Sequence, residues 1–279
     1  MMGMKERIRA WIRPRSGNGS VPVVPTRVEV EPEPAGYGTL LAGKTALVTG
    51  GGRNIGRSIA LEMAAQGATV LFTDVDAERC RAVEAELRAV QAESQGFVSD
   101  VSCAEDNEAL LAAVRGRGTS LDILVNNVGI DAGDFEMTYR TNVFGPMRLT
   151  TACADMMIVG GVAGSIIFVT SIHQETVRRV AAYSSSKAAL AMVIKELALE
   201  LAPRRIRVNG IAPGFVQEDE QGGAVPHTDT PLEQSSIPPR YVGRAAVYLA
   251  ADYFSRFTTG TILKVDAGLS LVNYFGARR

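Results

Sequence analysis

The 279-residue chain has few of the residues that build metal centres and disulfide frameworks. It carries three cysteines, Cys80, Cys103 and Cys153, with no close pair, and two histidines, His173 and His227. That inventory argues against a zinc or iron site, so no metal ligand is assigned. Scattered cysteines in odd number suit a reducing compartment. Neither sign of charge is in excess. The net charge is −1, no global field draws the chain to nucleic acid, and basic residues are not interleaved with aromatics. A nucleic-acid partner is therefore not expected. No run reaches the ~18 to 20 apolar residues that span a bilayer, which excludes stable insertion as a helix. Lys5, Arg7, Arg9, Arg13 and Arg15 are followed by no apolar signal-peptide core, so a cytoplasmic location is the expectation.

What is present points to one large domain. The composition is 46% hydrophobic and 21% charged, enough for a substantial core. Residues 1–40 differ from the rest, with Ser16-Gly17-Asn18-Gly19-Ser20 followed by prolines at 22, 25, 32 and 34. They read as a flexible or extended arm, which could also pack on a neighbouring subunit. The domain is expected over 41–279. From Lys44 short apolar runs alternate with helical periodicity. Strands are expected over 45–49, 68–73, 96–99, 123–125, 165–169, 205–211 and 261–265. Helices are expected over 55–66, 78–93, 105–114, 143–157, 183–201 and 242–250. That alternation predicts an α/β single-domain Rossmann fold, a doubly wound parallel sheet of about seven strands covered on both faces.

The first strand ends in Thr49-Gly50-Gly51-Gly52-Arg53-Asn54-Ile55-Gly56 as a helix opens. Glycines at such a turn admit a pyrophosphate, and the helix start supplies N–H donors. A glycine cluster can also be only a tight turn; its place after the first strand favours the ligand. Asn54, between the glycines, enters left-handed backbone space more readily than most residues. Asp74, after the second strand, can accept hydrogen bonds from adenosine ribose hydroxyls and would repel a 2′-phosphate. It favours NAD. Arg53 argues the other way, because it could pair with that phosphate or simply be solvated, so NADP stays open. Asp100-Val101 either meets the adenine or is a strand end capped by an acid.

Tyr183 and Lys187 are four residues apart on a predicted helix, which puts phenol and ammonium on one face. A cation beside a phenol lowers its pKa from about 10 and suits it to exchange a proton with an alcohol or ketone. With these residues the chain resembles a classical short-chain dehydrogenase/reductase. The resemblance runs from Gly43 to about Leu271 through Thr49-Gly50…Gly56, Asp100, Asn126-Asn127-Val128-Gly129, Asn142, Ser171, Tyr183…Lys187, Asn209, Pro213-Gly214 and Asp266-Ala267-Gly268.

The resemblance implies an NAD(P)(H)-dependent oxidoreductase that interconverts a secondary alcohol and a ketone by hydride transfer. It makes Tyr183 the general acid/base and has Lys187 lower the Tyr183 pKa and bind the nicotinamide ribose. Ser171 would hold the substrate oxygen, and Asn142 would anchor a proton-relaying water. Gly50, Arg53, Asn54, Ile55, Gly56, Asp74, Asp100, Val101, Asn127, Val128 and Gly129 would line the cofactor, with Pro213, Gly214 and Val216 at the nicotinamide. It further implies a homo-oligomer, tetramer or dimer, built through the helices near 143–157 and 183–201 and the C-terminal strand. The apolar tail Leu269 to Val272, with Tyr274 and Phe275, fits a buried or interfacial end; a monomer that packs its own tail is the alternative.

The chain departs from the family in several places. Asn54 replaces a usual glycine, and Ala267 stands where a second glycine is common. The stretch between Gly129 and Asn142 is short. Thr170 is an alternative to Ser171 in register. The segment 217–240, rich in prolines, glycines and acids, is expected to be a mobile substrate lid. Ser171-Ile172-His173-Gln174-Glu175 is similar to part of the sugar 1-dehydrogenases, and 3-oxoacyl thioester reductases are a second related class. Arg178 and Arg179 could face an anionic substrate group or be solvated. A non-catalytic dinucleotide-binding scaffold is the alternative outside enzymes.

Overall fold

The computed structural model describes residues 39–272. All but the last two residues of the expected arm lie outside them, as do Tyr274 and Phe275. Seven strands form one parallel sheet: β1 (Thr45–Val48), β2 (Thr69–Asp74), β3 (Gln95–Val98), β4 (Ile123–Asn126), β5 (Ser165–Val169), β6 (Arg207–Pro213) and β7 (Ile262–Val265). Their order is β3-β2-β1-β4-β5-β6-β7. β1, β4, β5 and β6 are buried along their whole length, which explains the largely apolar, non-alternating sequences of β1, β4 and β5, whereas β6 also buries Arg207 and Asn209.

The helices are α1 (Asn54–Ala65), α2 (Ala77–Arg88), α3 (Ala104–Gly116), α4 (Phe135–Tyr139), α5 (Gly145–Val159), α6 (Ala181–Leu201), α7 (Pro239–Ala250) and α8 (Asp252–Ser255). Ile59 and Met63 of α1 join Val242 and Leu249 of α7 in the main apolar cluster, with Phe72 and Ile167 of the sheet. α1 and α7 pack closely because Gly243 has no side chain: a Cβ there would lie 2.8 Å from the Ser58 carbonyl oxygen. Arg207, buried in β6, ties the sheet to the α7–α8 corner through Asp252 at 3.0 Å and the carbonyls of Leu249 and Ala250.

Chain order reverses between β1 and β4, so their carboxyl ends open a crevice where α/β sheets bind ligands. Two expectations need correction. The helix expected to begin at 143 starts earlier: α4 runs into a π-type turn, Arg140–Phe144, and then into α5. The helix expected to reach 93 ends at Arg88, whose guanidinium donates to the Ser94 carbonyl, while Ser94 Oγ accepts from Val70 N.

Candidate active site

The glycine turn is held from below. Asn127 Nδ2 donates to the carbonyls of Thr49 and Gly50, at 3.0 and 3.1 Å, and Thr49 Oγ1 accepts from the backbone of Asn127 and Val128. Gly50 and Asn54 take φ of 64° and 46°, the left-handed space anticipated for Asn54. A Cβ at Gly56 would stand 2.0 Å from the Gly50 carbonyl oxygen, so only glycine fits. The start of α1 has no side-chain cap at Arg53 and no acid in its first turn. Its leading N–H groups and positive end are left for an anion, which fits a pyrophosphate.

On one side of this turn lies a cavity of about 630 Å³ lined by Arg53, Asp74, Arg79, Asp100, Val101 and Val128 among others. Asp74 is buried. Its Oδ2 accepts from Gly52 N at 3.1 Å and its Oδ1 from Asp76 N, and Arg79 lies 3.8 Å away. Arg79 has no counterpart in the sequence reading; only its helical position after Asp74 hinted at it. Asp100 Oδ1 accepts from Ser102 N.

On the other side a cavity of about 560 Å³ takes in Asn54, Ile55, Asn127 and Gly129, then Ser171, Tyr183, Lys187, Pro213, Gly214 and Val216. α6 carries Tyr183 and Lys187, while Ser171 follows β5. Ser171 rather than Thr170 faces the phenol. The Thr170 hydroxyl donates to the Ile211 carbonyl in the sheet. The Ser171 hydroxyl stands near enough to the Tyr183 phenol to pull its pKa down, and it accepts from His173 N at 3.2 Å. Lys187 Nζ donates to the Val169 carbonyl at 3.0 Å and sits 5.6 Å from the Tyr183 ring centre. It reaches that place because Gly129 leaves room: a Cβ there would be 2.8 Å from Nζ. Asn142, wholly buried in the π-type turn, clasps the Ile130 backbone at both its amide ends, at 2.8 and 2.9 Å, and donates to Ser186 Oγ.

The electrostatics correct one expectation. The Tyr183 phenol is raised above its ordinary value, not lowered, because burial outweighs the Ser171 hydrogen bond and the Arg178 charge that pull it down. Burial also pulls the Lys187 ammonium down to about 8. Arg178 is the cation acting on the phenol: its guanidinium lies over the ring at 5.3 Å, with Asp131 4.0 Å behind it. The far wall adds His173, Phe215, His227, Asp229 and Leu269, none assigned to the site from the sequence. One signal was available: the chain has only two histidines, and both line this cavity. Phe215 stacks on His227 at 4.2 Å, and His227 Nδ1 meets Thr230 Oγ1 at 2.6 Å. The segment 217–240 is thus folded on itself, with Val216 bridging Ile237 and Pro226 bridging Ser235.

A doubly wound sheet with a glycine turn, an acid after the second strand and a hydroxyl–phenol–ammonium group beside the crevice defines a dinucleotide-dependent oxidoreductase. The family model described as short chain dehydrogenase matches residues 44–227. The chain belongs to that family: an enzyme acting on CH–OH groups of small molecules with NAD(P), interconverting alcohol and ketone. It is 33% identical over 263 residues to a glucose 1-dehydrogenase of Gluconobacter oxydans, covering 87% of this chain and 97% of the relative. Among solved structures, it resembles a gluconate 5-dehydrogenase of Burkholderia cenocepacia in complex with NADP and tartrate (29% identity, TM-score 0.74, 85% and 99% of the two chains). It also resembles a 7α-hydroxysteroid dehydrogenase complexed with NADH and 7-oxo glycochenodeoxycholic acid (28%, TM-score 0.75, 84% and 97%). No helix among the described residues is long and apolar enough to cross a membrane.

Proposed function

We propose that Tyr183, Ser171, Lys187 and Asn142 carry alcohol–ketone exchange in this chain. The observation that carries the reading is that Ser171, close enough to pull down the pKa of the Tyr183 phenol, lines one cavity with Tyr183, Lys187, Pro213 and Gly214. The bound dinucleotide supplies or accepts the hydride. Ser171 and Tyr183 aim their hydroxyls at the oxygen where negative charge develops. Tyr183 gives that oxygen a proton in reduction and takes one in oxidation. Lys187 holds the nicotinamide ribose, and its burial, which lowers its pKa to about 8, keeps its proton exchangeable near working pH. Asn142 fixes the Ile130 backbone and with it the relay that resupplies the proton. Gly50, Asn54, Ile55 and Gly56 hold the pyrophosphate, Asp100 and Val101 border the adenine, and Val216 borders the nicotinamide.

NAD is the preferred cofactor in this reading, because a carboxylate after the second strand accepts from ribose hydroxyls and repels a 2′-phosphate; Arg53 and Arg79, lining the same cavity, leave NADP usable. Segment 217–240 covers the substrate, and the assembly is a homo-oligomer. The test is absorbance at 340 nm with NADH and NADPH against ketones, keto-sugars and β-ketoacyl thioesters, with alcohols and sugars in reverse. Tyr183→Phe lowers turnover by about 100-fold or more while leaving cofactor affinity in place. Turnover at the unsubstituted rate in that variant rules the assignment out.

A further inference from the structure

The loop between β3 and α3 lines the cavity beside Arg53 and Asp74 with Ser99, Asp100, Val101 and Ser102. Two helices hold it. From α3, Asp106 Oδ2 accepts from Asp100 N at 2.8 Å, and Asn107 Nδ2 donates to the Val101 carbonyl at 2.8 Å. From α5, Arg148 Nη2 donates to the Ser102 carbonyl at 2.9 Å. The fit is close: a Cβ on Gly145, which opens α5, would stand 2.3 Å from the Val101 carbonyl oxygen. Ser102 N donates to Asp100 Oδ1, Cys103 N to the Asp100 carbonyl and Ser99 N to the Asp74 carbonyl. Of the N–H groups from Ser99 to Cys103, only that of Val101 has no acceptor among the described residues. Val101 is 4% exposed, and an N–H that deep is costly to leave unpaired. The clamp carries orphans of its own: Asn107 Oδ1 and Arg148 Nε are buried with no partner among the described residues. Each such atom lowers stability, and an aliphatic side chain in either place would bury none. What the amide and the guanidinium do that an aliphatic chain could not is fix two successive carbonyls of a ligand-lining loop.

We propose that Asn107 and Arg148 are positioning residues for the base of the dinucleotide. The peptide between Asp100 and Val101 is flanked by peptides that Asp106, Asn107 and Arg148 fix, so its N–H keeps one direction. The loop then offers a base one donor, the Val101 N–H, next to one acceptor, the Asp100 carboxylate. Adenine carries the complement, a ring-nitrogen acceptor beside an amine. Hypoxanthine carries the reverse, a ring N–H beside a carbonyl oxygen, so donor meets donor and acceptor meets acceptor. The two side chains thereby set base selectivity without touching the base. This rests on the reading that Asp100 and Val101 border the adenine.

The test is a binding titration of the full chain, read by nicotinamide fluorescence, which needs no turnover. Whichever of NADH and NADPH binds the unsubstituted protein more tightly is compared with its hypoxanthine counterpart. The adenine form is expected to bind about tenfold more tightly. In Asn107→Leu and in Arg148→Met that ratio is expected to fall by about threefold or more, while Arg148→Lys, which keeps a donor, retains most of it. A role confined to stability would weaken both dinucleotides alike and leave the ratio in place. Equal affinities in the unsubstituted chain, or a ratio that neither substitution moves, overturn the proposal while the dinucleotide site itself stands. A ratio in Arg148→Lys as low as that in Arg148→Met counts against the hydrogen bond as its cause. Should Asn107→Leu not fold, Arg148→Met decides alone, because that side chain is only partly buried. Absence of binding by either reduced dinucleotide refutes the reading of the cavity on which the proposal rests.

Discussion

Single side chains decide which cofactor and which pH this site prefers. Asp74 presents a buried carboxylate to the cavity beside Arg53 and Asp100, yet it is already engaged by Gly52 N and lies near Arg79. A phosphate brought there meets a like charge, partly offset by the guanidiniums of Arg53 and Arg79. Asp74→Ala is therefore expected to relax the preference for NADH over NADPH by about tenfold, measured as the ratio of the two dissociation constants. An unmoved ratio means the ribose does not face Asp74. The phenol gives a second prediction. Tyr183 is raised by burial and pulled back by Ser171 and Arg178, while Asp131 pushes it up; Lys187 and His173 also lie against its ring. Oxidation needs the phenolate, so its rate falls as pH drops below the Tyr183 pKa. Removing the Arg178 charge raises that pKa further, so Arg178→Gln moves the acid limb of the pH–rate profile to higher pH, and Arg178→Lys restores much of it. Because Arg178 is nearly half exposed, the displacement should shrink in high salt. A limb that stays in place excludes Arg178 as the tuning cation. Spacing made Tyr183 and Lys187 legible in the sequence. Arg178 was read only as facing a substrate anion or solvent, and Asp131 not at all, because they come together only through loops whose approach no local pattern encodes.

Among elements, the segments written in local chemistry were read well and those set by tertiary packing were not. The glycine turn announced itself, since Gly56 admits no side chain and Asn54 occupies left-handed space. The π-type turn over Arg140–Phe144 did not: its widened turn serves to bury Asn142 against Ile130 and Ser186, contacts far away in sequence. The segment 217–240 was read from its composition as mobile. In the structure Ser236, Ile237 and Thr230 are buried within it, and backbone bonds such as His227 N to the Gln234 carbonyl at 2.8 Å brace it. The turn after β7 shows a residual strain. Ala267 takes φ of 50°, beside Gly268 at 82°. A Cβ in the left-handed region costs about 1 kcal/mol. Ala267→Gly is expected to stabilise the protein by about that amount, raising Tm by roughly 2–4 °C in a chain of this size. A fall in Tm on thermal unfolding counts against strain at this position.

At the scale of the whole molecule, the strand–helix alternation was sufficient for the fold, because a parallel sheet buried on both faces leaves a continuous apolar signature in each central strand. What alternation does not encode is which outer surfaces remain to be covered. β7 pairs with β6 on one side, and among the described strands nothing pairs with its other edge. Tyr241 and Tyr248 of α7, Tyr253 and Phe254 of α8, and Phe257 are exposed, with Phe254 packed against Tyr248 and Tyr253 and with Arg240 and Arg244 over the Tyr241 ring. An open edge and an exposed aromatic surface each favour pairing with another chain. A second copy related by a two-fold axis presents the same edge and the same aromatics, so one operation covers both. Sedimentation at micromolar concentration is therefore expected to show a dimer or tetramer. The double substitution Tyr253→Glu, Phe257→Glu should shift it to smaller species, because two carboxylates on each copy would face their own images across the axis. Retained helical circular dichroism in that variant keeps the comparison meaningful. A monomer in the unsubstituted protein would exclude self-association through this face, and an unaltered oligomer in the variant would move the interface to another surface, with Phe135, Met137 and Phe144 around α4 as the next exposed group.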